Sequence, residues 1–300
     1  MLGIAIVRAL REVAPDDELL TPGSAELDLT DSHQVREYAG DHRPDLTIHA
    51  AGRVGGIAAN VADPVGFLTD NMAIGMNVIE ASHDANVPKL INIGSSCMYP
   101  KDHAERLREE DVLSGRLEPT NEGYAIAKIA ADRLCEYLST QYGAAYRTVI
   151  PSNLYGPGDH FDEQRGHLIA NAIRKVDAAV QQGLDRVLIW GDGTARREFT
   201  YVDDVARWIA TLAHQDITAL PPRVNAGIGV DYTVTEFYEH IAAAAGYRGG
   251  FEYDTGRPAG MARKLMDSSL AREHGWAPVI QLDEGLELTL EHYRREVRVG

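Results

Sequence analysis

Three hundred residues, 44% of them apolar, suffice for one large domain or two smaller ones around a substantial core. A formal net charge of -16 disfavours general affinity for nucleic acid or an anionic membrane, so an anionic ligand must be met by local basic pockets. The two cysteines, Cys97 and Cys135, supply neither a disulfide framework nor a metal-binding spacing; with no membrane-length apolar run and no secretory leader, the expectation is a cytoplasmic protein without a metal site.

The chain opens with MLGIAIVRALREV, in which Met1, Ile4, Ile6, Val7 and Leu10 form a helical apolar stripe that Pro15 ends. Short apolar runs then alternate with helical segments: DLTIHAA, NMAIGMNVIEASHDA, KLINIGSS, NEGYAIAKIAADRLCEYLSTQYG and YRTVIPSNLYGP. Such alternation predicts an α/β fold, a doubly wound parallel sheet with helices on both faces and ligands beyond the carboxyl ends of its strands. Past Tyr155 the pattern is less regular, with GPGDHFDEQRGH, a helix near 168–182, a strand RVLIWG and a mixed tail. A smaller, interleaved α/β substrate domain is expected there.

The sharpest chemical signal is Tyr124-Ala-Ile-Ala-Lys128, which puts both side chains on one helix face, with Thr120 or Asn121 as the expected cap. An ammonium beside a phenol lowers its pKa, and such a tyrosine can protonate a carbonyl oxygen while hydride reaches the carbon. Upstream, Gly94-Ser95-Ser96-Cys97 follows the apolar run KLINI, so Ser95 stands where a small hydroxyl can hydrogen-bond a substrate carbonyl. Cys97 has two readings: an acid or base with a shifted pKa, or a buried, inert thiol. Arg174, Lys175, Arg197, Arg263 and Lys264 are candidates for meeting diphosphate oxygens, and Asn153 for a substrate contact.

Together with AAGRVGGIAAN, SSCMYP, LEPTNEGYAIAKIA, PSNLYGPGDHF and WGDGTARREFTYVDDVA, these segments resemble the extended short-chain dehydrogenase/reductases and, within them, the GDP-L-fucose synthase family. The resemblance implies a Rossmann-like dinucleotide-binding domain over 1–155, a mainly substrate-binding domain over 156–300, and a return of the segment near 187–225 to the first. It further implies a nucleotide-sugar substrate, GDP-linked, whose 4-keto-6-deoxyhexose is epimerised at C3 and C5 and reduced at C4. Ser95, Tyr124 and Lys128 are then the reductase residues, and Cys97 and His167 move the ring protons. Gly3, Asp28, Ala50 and Ala51, with Tyr124 and Lys128, are expected at the cofactor; Asn153, Arg174, Trp190, Arg197 and Lys264 at the substrate. The expected assembly is a homodimer through the helices around NMAIGMNVIEA and YAIAKIAADRL, with no nucleic-acid or membrane partner.

Departures from the family pattern cluster in two places. Of the glycine-rich turn that opens such folds only Gly3 stands here, and no arginine occupies Pro22 or Ser24, which leaves both NADP(H) and NAD(H) as cofactors. Two explanations compete for the opening: a natural start about a dozen residues upstream, which we favour, or a chain without a competent cofactor site. On the substrate side Ala259 and Met261 replace an acid and a hydroxyl after Pro258, and His160 replaces an asparagine, changes that allow a related nucleotide sugar. The alternatives to the epimerase/reductase are an NAD-dependent epimerase without net redox and a non-catalytic nucleotide-sugar binder.

Overall fold

The computed structural model describes residues 1–103, 105–162, 166–256 and 261–298. The first part of the chain gives helix α1 (Leu2–Val13), helix α2 (Ser32–His42), strand β1 (Leu46–His49), helices α3 (Ile57–Ala62) and α4 (Pro64–Asp84), strand β2 (Lys89–Ile93), helix α5 (Glu122–Tyr142) and strand β3 (Ala145–Pro151). There follow β4 (Asn153–Tyr155), α6 (Leu168–Gln182), β5 (Arg186–Trp190), β6 (Arg196–Arg197), β7 (Phe199–Tyr201), α7 (Val202–Ala213) and β8 (Arg223–Ala226). The remainder is β9 (Tyr232–Thr233), α8 (Val234–Ala245), β10 (Gly250–Asp254), β11 (Arg263–Lys264), α9 (Ser269–Glu273) and α10 (Leu282–His292).

The main sheet is parallel, in the order β1-β2-β3-β8. Its strands are apolar on both faces because side chains alternate direction and helices cover both sides. Leu90 and its register partner Tyr146 meet Ile79 of α4 with Ala131, Cys135 and Leu138 of α5. Ile91, Ile93, Val149 and Val224 instead meet Ala5, Ile6, Ala9 and Leu10 of α1 and the apolar face of α7. The apolar stripe of the opening segment is therefore the face of α1 that packs on the sheet and α7.

Helix boundaries follow local chemistry. Asp31 caps α2 by accepting the N–H groups of His33 and Gln34, and Asp63 caps α4 through Gly66 N–H at 3.0 Å, just ahead of Pro64 in the first turn. The start of α5 differs from expectation. Neither Thr120 nor Asn121 supplies a side-chain cap; a single turn over Pro119–Asn121, itself capped by Glu118, runs directly into the helix.

A second core lies away from the main sheet. It joins α6, α8 and α10 to the β5–β10 pair and the β4–β7 pair around Phe199, Phe237, Ile173 and Leu286. β5 belongs to this core, whereas α7 and β8 belong to the first, as do Ala271 and Trp276 from the C-terminal part. The chain thus crosses between cores more than once.

β1 is an edge strand, and beyond it opens a cleft of about 1830 Å3 lined by α1, the segment around Leu27–Thr30, α2 and the loop Ala50–Arg53. Residues 18–23 pair with no strand among the described residues. No helix among the described residues is long and apolar enough to cross a membrane.

Candidate active site

β2 ends at Ile93, and the chain turns through Gly94 to Ser95, whose extended backbone (φ -154°) starts a short turn over Ser96–Met98. This turn places Cys97 back over Ser95. The Cys97 thiol donates to Ser95 Oγ at 3.1 Å, and the Cys97 N–H points to the same oxygen at 3.4 Å. α5 runs alongside and delivers Tyr124 and Lys128 one turn apart. The Tyr124 hydroxyl hydrogen-bonds the Ser95 side chain. Lys128 Nζ donates to the Ile93 carbonyl at 2.9 Å and sits 5.9 Å from the centre of the Tyr124 ring. Ser95, Cys97, Tyr124 and Lys128 therefore converge at the carboxyl end of β2.

Electrostatics in this cluster correct one expectation. Burial raises the Tyr124 hydroxyl above its usual range, and the neighbouring Cys97 adds to the rise, outweighing the hydrogen bond from Ser95. Lys128 does not lower it here. Burial brings Lys128 itself down to about 8, and its amine is engaged by the Ile93 carbonyl. Burial also pushes the Cys97 thiol up, opposed by the charges of Lys264 and Lys128 and by the bond to Ser95. Lys264 is held at about 8 by burial, opposed by Cys97. One thiol thus lies in the field of two lysines.

Lys264 reaches the cluster through a small sheet. β11 runs parallel to β6, with Arg263 opposite Arg196 and Lys264 opposite Arg197. Asp231 takes one alternation of side chains: Arg196 Nε at 3.0 Å, and Arg263 Nε. The other alternation, Arg197 and Lys264, shares the field of Glu118. Met261, which precedes β11, is buried; Pro258 and Ala259 lie outside the described residues. Asn153 Nδ2 donates to the Glu198 carbonyl at 3.1 Å, which ties the start of β4 to the same strand region.

Trp190, at the end of β5, is covered by Lys175, with Nζ 4.7 Å from the ring centre. Arg174 turns elsewhere: it reaches Asn171 Oδ1 at 3.4 Å, and its charge is felt by Tyr238 and Tyr293 in the second core. One residue on a helix is a rotation of about 100°, and that rotation separates Arg174 from Trp190. His167 immediately precedes α6, and its hydrogen-bond partner is Asp159, with Nδ1 to Oδ1 at 3.2 Å. Sequence reasoning singled out neither Asp159 nor Glu198. Asp159 stood in the quoted GPGDHF segment, but only the fold closes the loop that joins it to His167.

The large cleft carries the residues expected at a dinucleotide. Gly3 in the first turn of α1, Asp28, and Ala50, Ala51 and Gly52 after β1 all line it. A Cβ added to Gly52 would lie 3.0 Å from Asn71 Oδ1 and 3.8 Å from Lys128 Nζ, so the backbone after β1 runs close to the lysine. Asp28 spends its carboxylate on Thr30, through the N–H at 2.9 Å and the hydroxyl at 2.7 Å. The cleft volume, the first-turn N–H groups near Gly3 and the nearness of Gly52 to Lys128 fit a dinucleotide.

Residues 3–227 match the NAD dependent epimerase/dehydratase family. A GDP-L-colitose synthase of Yersinia pseudotuberculosis is 47% identical over 282 residues, covering 94% of this chain and 91% of that protein. A GDP-L-fucose synthase of Escherichia coli (strain K12) is 41% identical over 300 residues, covering 98% and 93%. Among solved structures, a GDP-mannoheptose C4 reductase from Campylobacter jejuni with NADP bound superposes with a TM-score of 0.88 at 30% identity, covering 98% of this chain and 95% of that chain. A parallel sheet with the Ser95, Tyr124 and Lys128 cluster at its carboxyl edge, and relatives of this identity along nearly the whole chain, place the protein in the NAD dependent epimerase/dehydratase family.

Proposed function

We propose that this protein is a GDP-sugar epimerase/reductase that uses a nicotinamide cofactor, NADP(H) or NAD(H), on a 4-keto-6-deoxyhexose. The observation that carries the reading is the convergence of Ser95, Cys97, Tyr124 and Lys128 at the carboxyl end of β2, where Cys97 bonds Ser95 and Lys128 bonds the Ile93 carbonyl. Ser95 and Tyr124 hold the C4 oxygen. The ketone acidifies the C–H bonds at C3 and C5, where Cys97 and His167 exchange protons. Tyr124, kept neutral by burial, then gives its proton to the C4 oxygen, and the Ser95 side chain, whose hydrogen bond favours the phenolate, stands beside it. A bound reduced cofactor supplies the hydride that C4 receives. Arg197 and Lys264 are suited to the diphosphate, and Lys175 with Trp190, in place of Arg174, to the outer part of the substrate.

The test supplies GDP-4-keto-6-deoxymannose with NADPH and NADH in parallel, in deuterated water. Nicotinamide oxidation with deuterium at C3 and C5 supports the reading, and the better cofactor answers the question raised by Pro22 and Ser24. Exchange without net oxidation would favour an epimerase, and ligand-induced stabilisation without turnover a binding protein. We further propose a homodimer through α4 and α5, supported by the exposed Val65, Ile126 and Tyr137 on these helices, which sedimentation of Tyr137→Glu would test. A reducing, cytoplasmic setting agrees with the two free thiols.

A further inference from the structure

Asp159 lies on the loop that leads into α6, and its side chain is only 3% exposed, against 35% for that of His167. Its Oδ1 stands 3.2 Å from His167 Nδ1 and also accepts the His160 N–H at 2.8 Å. Oδ2 is buried and meets no donor among the described residues. A carboxylate so enclosed is costly unless a cation shares its surroundings, and His167 is the group placed to do so.

The loop is held in shape on its other side. Gly156 has φ 144°, and a Cβ there would fall 2.6 Å from Val202 Cγ1, so only glycine fits. Gly158 donates its N–H to His292 Nε2 at 3.2 Å, and Phe161 packs on Tyr293 with ring centres 4.9 Å apart.

Three effects oppose a charged His167: burial, which is the largest, the Met1 amino group, and the positive end of α6. The hydrogen bond and charge of Asp159 outweigh them and raise the imidazole above its ordinary value. The other charged and titratable groups on this side are His160 beside Asp159, and His292 with Glu296 beyond Gly158.

We propose that Asp159 is a positioning residue for His167: it accepts the Nδ1 proton, fixes the tautomer, and leaves a protonated Nε2 for the ligand. The proposal rests on the reading of His167 as a proton donor to the sugar ring. In that step the Nε2–H bond breaks as a C–H bond forms from the enolate electron pair, and the imidazole left behind still donates its Nδ1 proton to Asp159. Removal of a ring proton by Cys97 needs its thiolate, which burial opposes and the charges of Lys264 and Lys128 favour; the pair works with His167 charged.

The experiment is an NMR titration of the His167 ring in the ligand-free full chain, with His167→Gln identifying the resonance. The wild-type midpoint should lie above the ordinary value of about 6.5, and Asp159→Asn should lower it by roughly one pH unit. The alkaline limb of deuterium incorporation at C3 and C5 should move down with it, which a merely structural role for Asp159 would not produce. A wild-type midpoint at or below the ordinary value, or one that Asp159→Asn leaves in place, overturns the proposal, and the first of these needs no folded variant. If His167→Gln incorporates deuterium normally, the ring-proton role of His167 fails, while the titration still decides the coupling to Asp159.

Discussion

The Cys97 thiol donates its hydrogen bond to Ser95 Oγ at 3.1 Å, so the group assigned to ring-proton transfer and the group assigned to the C4 oxygen are joined in the resting site. A ligand carbonyl at Ser95 must therefore be met with the thiol already in place. Cys97→Ser keeps a hydroxyl donor of similar shape and loses the softer, more acidic thiol. Deuterium incorporation at C3 and C5 should fall roughly 10²- to 10⁴-fold. Reduction of a ketone that needs no epimerisation should persist. Equal loss of both activities in Cys97→Ser would contradict the separation of roles.

Tyr124 separates the two steps from the opposite side. Its hydroxyl is held neutral by burial and touches Ser95, which suits a proton donor at C4. Tyr124→Phe should lower reduction roughly 10²- to 10⁴-fold and leave isotope exchange at the ring carbons measurable, since Cys97 and His167 remain. Single-turnover nicotinamide oxidation, with exchange followed in the same sample, distinguishes these outcomes.

Much of this was legible because it rests on local periodicity. The alternation of apolar runs with helices gave the parallel sheet, and the spacing of four residues put Tyr124 and Lys128 on one face of α5. What escaped was set by tertiary closure. Arg174 and Lys175 are equal in the sequence, and only the packing of α6 on the second core decides that Lys175 meets Trp190. The lowering of the Tyr124 pKa by Lys128 was a sound pairwise argument, yet burial, a many-body quantity, has the larger effect. The Asn121 cap failed because the Pro119–Asn121 turn leads straight into α5.

Lys128 ties the site to the stability of the fold. It is 7% exposed, and burial brings it to about 8 from an ordinary value near 10.5. Between those two pH values the unfolded chain holds a proton that the folded chain has released, so stability rises with pH across that window; below it the buried charge is a standing cost. Lys128→Met should remove that contribution, up to about 1.4 kcal/mol per pH unit where the two states differ by a full proton. Lys264, also near 8, leaves a residual slope in the variant. Thermal unfolding followed from pH 7.5 to 10 measures it, and a slope unchanged by Lys128→Met would mean that the amine is solvated.

Glu198 shows the opposite sign and links the strands that carry Arg197 and Lys264. Its side chain is 1% exposed and accepts the N–H groups of Gly229 at 2.6 Å and Met266 at 2.9 Å, while its carbonyl receives Asn153. Burial raises its pKa to about 7, against the two backbone hydrogen bonds that favour the carboxylate. A raised carboxylate binds more protons folded than unfolded between about 4.5 and 7, so its contribution is complete below that window and declines as pH rises through it. Glu198→Ala strands two buried N–H groups and should cost about 2–3 kcal/mol, together with a flatter stability profile between pH 4.5 and 7. Because Met266 lies two residues beyond Lys264, the same variant should raise the KM for the GDP-sugar more than it lowers kcat. A variant with normal KM and reduced stability would confine Glu198 to the fold and leave the placement of Lys264 to the β6–β11 pairing alone.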